Sequence, residues 1–275
     1  MVKLATAREA RLYGPALAVR RWEYINAGVY VFATLLLASS LAALFAVGGA
    51  ARAGLAAAGV ALAVAAAVNA HDLWAHLAGV DWRVGLARYD LQLGLVELLV
   101  PAVHAVGCVL AVVAMAILIS QACMSPLGEE GYSYGKERHA ANLVVAAALL
   151  WMVGSVLNAC QVYERADGRA QLLQATVQVP LLLGSLFFLL AAVANRGRTR
   201  SPLLVSRSWV WLSLLGSVLW LVGALFNVLK VFMMHQSDAL RLEKLRGGAQ
   251  ERLSRDREGR VPLNWEEAAR RTELR

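Results

Sequence analysis

Cysteine is scarce in this chain of 275 residues, with only Cys108, Cys123 and Cys160 present. In apolar surroundings they are too few for a disulfide framework, and they lack the partners of a zinc site. Only Cys160, beside the end of an apolar run, is placed for palmitoylation. Histidine is almost as thin, at five residues. His71-Asp72-Leu73-Trp74-Ala75-His76 has the outline of a histidine box from membrane desaturases or hydroxylases, but a di-iron site needs more ligands. The remaining histidines, His104, His139 and His235, fall at different depths. A bis-histidine haem fails on the same count, since only His104 is placed well inside a span. A glycine-rich phosphate loop, Gly-x-Ser-x-Gly and metalloprotease motifs are all absent from the sequence. No metal or cofactor is assigned, and an enzyme is the minority reading.

A concentrated basic face is missing too. The net charge of +8 divides into +3 over the first 23 residues, +4 in the loop Arg196–Arg207, +2 from His235 onward and −1 over the rest. Spread this way it excludes a nucleic-acid surface and suits contact with lipid headgroups. A cleaved signal peptide is not expected: Met1 to Glu23 is too long for its charged region, and the run behind it is a full span, which should act as an uncleaved anchor.

Long apolar stretches are abundant. With 59% hydrophobic residues and a mean hydropathy of +0.55, the chain repeats a unit of about twenty apolar residues, enough to cross a hydrocarbon core of about 30 Å. This predicts an all-α, polytopic transmembrane helical bundle of about six spans with a short cytosolic helical tail. The spans are drawn at Asn26–Gly48, Ala53–Ala70, Leu93–Ile117, Ala141–Val162, Ala175–Ala194 and Ser208–Leu229. Three regions follow: a cytosolic segment 1–25, the bundle 26–234 and a charged tail 235–275. The alanine-rich second span is the weakest by insertion energy, and Gly48-Gly49 before Arg52 makes a tight turn.

Orientation follows from the excess of Lys and Arg on cytosolic flanks. Six spans with both termini in the cytosol place thirteen such residues inside against seven outside, a better asymmetry than five spans give. The membrane is expected to be the endoplasmic reticulum or the plasma membrane. The loop Arg196–Arg207 falls outside in this threading, where anionic headgroups are its natural contact.

Ionisable and amide groups inside spans point to function by default. The candidate intramembrane cluster is Glu97, His104, Asn158, Gln178, Asn227 and Lys230. Glu97 follows Asp90 by seven residues, about 10 Å of helix, in an apolar run of about 43 Å, so the interface accommodates it. His104 shares a helix face with Glu97, with Pro101 between them expected to bend the span. A neutral histidine bonded to a neighbouring helix is the simplest account of it. Lys230 can snorkel to the headgroups. In the six-span threading Asn26, Asn69, Glu97, Asn158, Gln161, Gln174, Gln178, Asn227 and Lys230 share the cytosolic half, with His104 deeper, leaving the outer half little beyond Ser39, Ser40, Ser213 and Ser217. A conduit for a polar solute needs hydrogen-bonding groups along its whole length; this pattern offers a vestibule.

Gly154-Ser155, Gly184-Ser185 and Gly216-Ser217 put a small-residue step near the middle of each of the last three spans. Small residues let helices approach closely, so a close-packed three-helix core is expected. In the tail, Gly247-Gly248 should stop or kink a helix that runs on from Lys230. Asn264-Trp265-Glu266-Glu267 reads as a capping box opening a second helix, with Trp265 as its anchor on a surface.

Arg11-Leu12-Tyr13-Gly14-Pro15 and Arg21-Trp22-Glu23-Tyr24, in an Ala/Val/Gly/Arg-heavy composition, resemble uncharacterised multi-pass membrane proteins of land plants. The resemblance covers about the first forty residues and implies no catalytic or binding residue. Together these readings predict a non-enzymatic membrane protein that acts by helix association, with its tail contacting a membrane-protein or cytosolic partner, or lipid. Homo-oligomerisation is left open. The alternative is a small transporter or channel subunit using the cytosol-facing polar vestibule.

Overall fold

A computed structural model of the chain describes residues 16–45, 50–77, 98–124, 133–160, 168–196 and 206–257. Among the described residues there are six helices and no strand: α1 Ala16–Ala43, α2 Ala50–Leu77, α3 Val100–Met124, α4 Tyr134–Cys160, α5 Gly168–Arg196 and α6 Arg207–Arg257. All six are long and apolar enough to span a membrane, at Glu23–Ala43, Arg52–Ala75, Val100–Ala122, Tyr134–Ala159, Gln171–Arg196 and Arg207–Met233. The protein is an integral membrane protein. The chain divides into two compact units, Met1–Val231 and Phe232–Arg275, and the helical bundle belongs to the first.

Burial runs opposite to that of a water-soluble protein. Alanine makes up more than half of the buried apolar residues, while large residues such as Phe32, Val109, Leu172, Val193 and Leu225 stand on the surface. In hydrocarbon a leucine gains nothing by turning inward, whereas a small residue gains close backbone packing. The same rule explains why alanine-rich α2 holds its place. Leu55, Ala58, Ala61, Leu62 and Ala65 are all buried in the common core, so packing supports a span whose insertion energy alone is marginal.

Consecutive helices run antiparallel, and a few close contacts set their register. Gly54 on α2 sits against the Ser40 carbonyl and Leu44 of α1, and Gly59 against Met115 of α3. The Arg52 guanidinium donates to the Ala122 carbonyl at 2.9 and 3.2 Å, satisfying a terminal acceptor of α3. Ser206 caps α6, its Oγ accepting the Trp209 N–H at 3.2 Å. Gln121 Oε1 accepts the Ser133 N–H at 2.9 Å just ahead of α4.

Several boundaries differ from the sequence expectation. α1 ends at Ala43 in a tighter turn, with Leu44 N–H donating to Leu41 at 3.2 Å and Phe45 N–H to Ala42 at 3.1 Å. The turn expected at Gly48-Gly49 lies outside the described residues. α2, α4 and α5 run several residues beyond the drawn spans, which brings His71, Glu137 and Asn195 into helices. Buried Gln121, Glu137 and Asn195 therefore add polar groups to a half expected to hold little beyond serine. Pro101 stands where a π-type turn at Leu98–Leu99 passes into regular helix, the local adjustment that a missing N–H provokes. α6 continues through Gly247-Gly248 to Arg257, because each glycine costs only about 1 kcal/mol and strong helix formers flank the pair.

Candidate functional site

The Gly-Ser steps organise the middle of the bundle. A Cβ on Gly184 of α5 would stand 2.7 Å from the Gly216 carbonyl of α6, and one on Gly216 would stand 2.9 Å from the Gly184 carbonyl. The two backbones are in contact. The third glycine does something different: Gly154 of α4 lies under the His104 ring of α3, with Val103 beside it. The close-packed core expected of the last three spans therefore has its backbone contact between α5 and α6, with α4 joined to α5 through Ser155 and Ser185 while Gly154 admits an imidazole from α3.

Space made by these glycines is filled by three rings. Trp151 of α4, Phe188 of α5 and Trp220 of α6 meet edge to face, with centroids 5.3, 5.0 and 4.9 Å apart, the arrangement that aromatic quadrupoles prefer. The indole of Trp151 crosses Gly107 of α3, and that of Trp220 crosses Gly184. Trp220 Nε1 donates to the Leu181 carbonyl and to Ser185 Oγ, both at 3.2 Å. Ser185 also shares a 2.8 Å hydroxyl contact with Ser155. The rings and hydroxyls form one floor across α4, α5 and α6.

On one side of this floor lies an apolar cavity of about 30 Å³, lined by residues of all six helices, among them Leu41, Leu62, Met115, Ala148 and Phe188. Ser213 is the single polar residue in its lining. That volume holds one or two water-sized molecules, and an apolar wall leaves such a space dry.

On the other side, towards the bundle end where α1 begins, the same helix faces turn polar. Asn158 follows Trp151 by seven residues, Asn227 follows Trp220 by seven, and Gln178 precedes Ser185 by seven. Seven residues are two turns, about 10 Å, on nearly the same face. Gln174 is one further turn along from Gln178. The register fixed by Gly184–Gly216 and by Gly223 against Val177 and Leu181 brings Gln174 level with Asn227. Gln178 stands one turn nearer the floor than that level, and Asn158, by the Ser155–Ser185 contact, about one turn nearer again.

Two of these amides have a buried oxygen without a partner, as the buried Trp151 N–H is without an acceptor. Gln174 and Gln178 are 2% and 4% exposed, and their Oε1 atoms have no donor. At the same bundle end, the amides of α1 and α2 are engaged: His71 Nδ1 donates to Asn26 Oδ1 at 2.6 Å, and Asn69 Nδ2 donates to the Ala65 carbonyl at 2.8 Å. A buried, unmet polar group costs about 1–3 kcal/mol, so Gln174 and Gln178 are held at the expense of stability.

Of the residues anticipated from sequence, Asn158, Gln178 and Asn227 lie on α4, α5 and α6 towards the same bundle end, at successive turns. His104 is adjacent through Gly154, but its Nδ1 donates to its own helix, to the Val100 carbonyl at 3.0 Å, and not to a neighbour; its proton is therefore on Nδ1. Lys230 lies three residues beyond Asn227 on α6 and is engaged in an interaction of its own. Glu97 and Trp265 lie outside the described residues. His71, placed outside the spans by sequence, lies within the second one. Among the described residues no cluster of three His, Cys, Asp or Glu side chains could hold a metal ion.

Sequence reasoning passed over the aromatic floor and Pro180. The signal for the rings was present: a large aromatic stands three or four residues from each Gly-Ser step, as Trp151, Phe188 and Trp220 do. Pro180 lies inside α5, two residues from Gln178, and withdraws the donor that the Thr176 carbonyl would otherwise receive. No family model matches the chain, and no solved structure matches it.

Proposed function

We propose that this integral membrane protein works by association and not by catalysis. Its helices pack against one another around the Gly184–Gly216 contact, the amides of α4, α5 and α6 meet a polar group of lipid or of a partner, and the segment 235–275, with Trp265, contacts a cytosolic partner or lipid. Both termini are assigned to the cytosol on the distribution of Lys and Arg, in the endoplasmic reticulum or plasma membrane. The observation that carries this reading is the aromatic floor. Beyond Trp151, Phe188 and Trp220 lies an apolar cavity lined by all six helices, which separates the amides at one bundle end from buried Gln121, Glu137 and Asn195 at the other. A bundle interrupted this way offers a polar solute no continuous row of hydrogen-bonding groups.

The test compares the full chain with one ending at Met234. The truncated chain should lose its cross-linked neighbours while keeping its place in the membrane. Unchanged neighbours and an unchanged cellular phenotype would sink the reading. A second reading, a small transporter or channel subunit, draws support from the unmet Gln174 and Gln178 oxygens and from Pro180 beside them. Solute or ion flux in proteoliposomes, abolished by Gln178→Leu, would establish it.

A further inference from the structure

We infer that the apolar cavity beside the aromatic floor is a binding site for a small apolar gas molecule of about two heavy atoms, the class of dioxygen, drawn from the hydrocarbon of the bilayer. Occupancy of this space is independent of how the protein meets its partners.

The cavity is kept open by small residues on three helices. Ala58 of α2, Ala111 of α3 and Ala148 of α4 all line it, and all three are buried. A valine at any of these positions would take up room that now stands open. Elsewhere the bundle fills such room with its own side chains, since the Trp151 indole covers Gly107 and the Trp220 indole covers Gly184. Atoms that line a void have no neighbours on that side and forfeit dispersion contacts, which are a main source of packing stability between membrane helices. An occupant of the right size restores them.

Polarity and size select that occupant. Ser213 is the one polar residue of the lining, and a single hydroxyl falls short of the about two to four polar partners that a buried water needs. An ion would need more still. A volume of about 30 Å³ takes about two water-sized bodies. That suits a diatomic gas and excludes a sterol, an aromatic ring or the length of an acyl chain.

Depth supplies the route. Leu62 lies ten residues inside Arg52, where the second span begins, and Ala148 fourteen inside Tyr134, where the fourth begins, which is about 15 and 21 Å of helix. The cavity is therefore within the hydrocarbon, where apolar gases dissolve more readily than in water.

The experiment uses the purified full chain in nanodiscs, with isotope-labelled methionine methyl groups read by nuclear magnetic resonance and xenon as the probe at rising pressure. Met115 lines the cavity, whereas Met233, exposed at the end of the last span, reports gas dissolved in the lipid. The Met115 resonance should move along a saturating curve while that of Met233 moves in proportion to pressure. Ala148→Val and Ala111→Val fill the space, and each should lose the Met115 shift. Leu62→Ala enlarges it and should saturate at lower xenon pressure. Dioxygen, which is paramagnetic, should broaden the same Met115 line, and added xenon should sharpen it again by displacement. A Met115 response that is absent, as it would be with a lipid chain end already in place, overturns the proposal, and so does one proportional to pressure. A saturating shift that persists in both valine variants, or dioxygen broadening that xenon leaves unchanged, overturns it as well.

Discussion

Gly184 and Gly216 face each other across α5 and α6 so closely that a methyl group on either would press on the other's carbonyl, at 2.7 and 2.9 Å. The contact lies where membrane helices draw stability from close backbone packing and not from burying large side chains. It also sets how far apart the two helices stand, and through that the fit of Trp220 against Leu181 and Ser185.

Gly184→Ala and Gly216→Ala should each cost about 1–3 kcal/mol by overpacking. Gly28→Ala, where an added methyl meets open space, should be neutral. Chemical unfolding in detergent, with the three variants measured side by side, separates the two behaviours.

Gly154 and His104 make a reciprocal pair. Gly154→Ala drives a methyl into the imidazole and should destabilise the bundle by a similar overpacking cost, about 1–3 kcal/mol. Adding His104→Ala to that variant removes the clashing ring and should recover much of the loss. A double-mutant cycle that shows plain additivity would contradict the contact.

Ser155 and Ser185 share a hydroxyl contact of 2.8 Å, and Ser185 also receives the Trp220 N–H. Interhelical bonds of this kind average about 0.6 kcal/mol in membrane proteins. Ser155→Ala should therefore be mild, while Ser185→Ala should cost more because two partners lose it. Equal effects from the two variants would argue against a shared network.

The aromatic floor should keep water from the apolar cavity. A cysteine at Ser213, in the cavity lining, should resist a water-soluble thiol reagent in the otherwise intact chain. With Trp151→Ala added, it should become reactive from the bundle end where α1 begins. The rate of modification, measured with Cys108, Cys123 and Cys160 replaced by serine, checks this. Fast labelling with Trp151 in place would mean that the floor leaks.

The candidate site was partly legible in the sequence. Asn158, Gln178 and Asn227 stood out because amides inside a span are costly and therefore informative. Gln174 fell short because its pairing state cannot be read from a sequence. Trp151, Phe188 and Trp220 were passed over because aromatic residues are ordinary members of membrane helices. Only the facing glycines turn these three into one layer. Gly247-Gly248 misled for a related reason, since local helix preference of about 1 kcal/mol per glycine is easily outweighed by its flanks.

Six membrane-crossing helices were determined by the sequence alone, because the length and polarity of a span answer to the thickness of the hydrocarbon core and little else. Which amides are paired, which glycine faces a glycine and which faces a histidine, and where the apolar cavity lies were decided only by the tertiary structure. These depend on helix rotation and register. In hydrocarbon such choices are not driven by hydrophobic burial but by the fit of small surfaces, and that fit is a property of pairs of helices and not of any one of them.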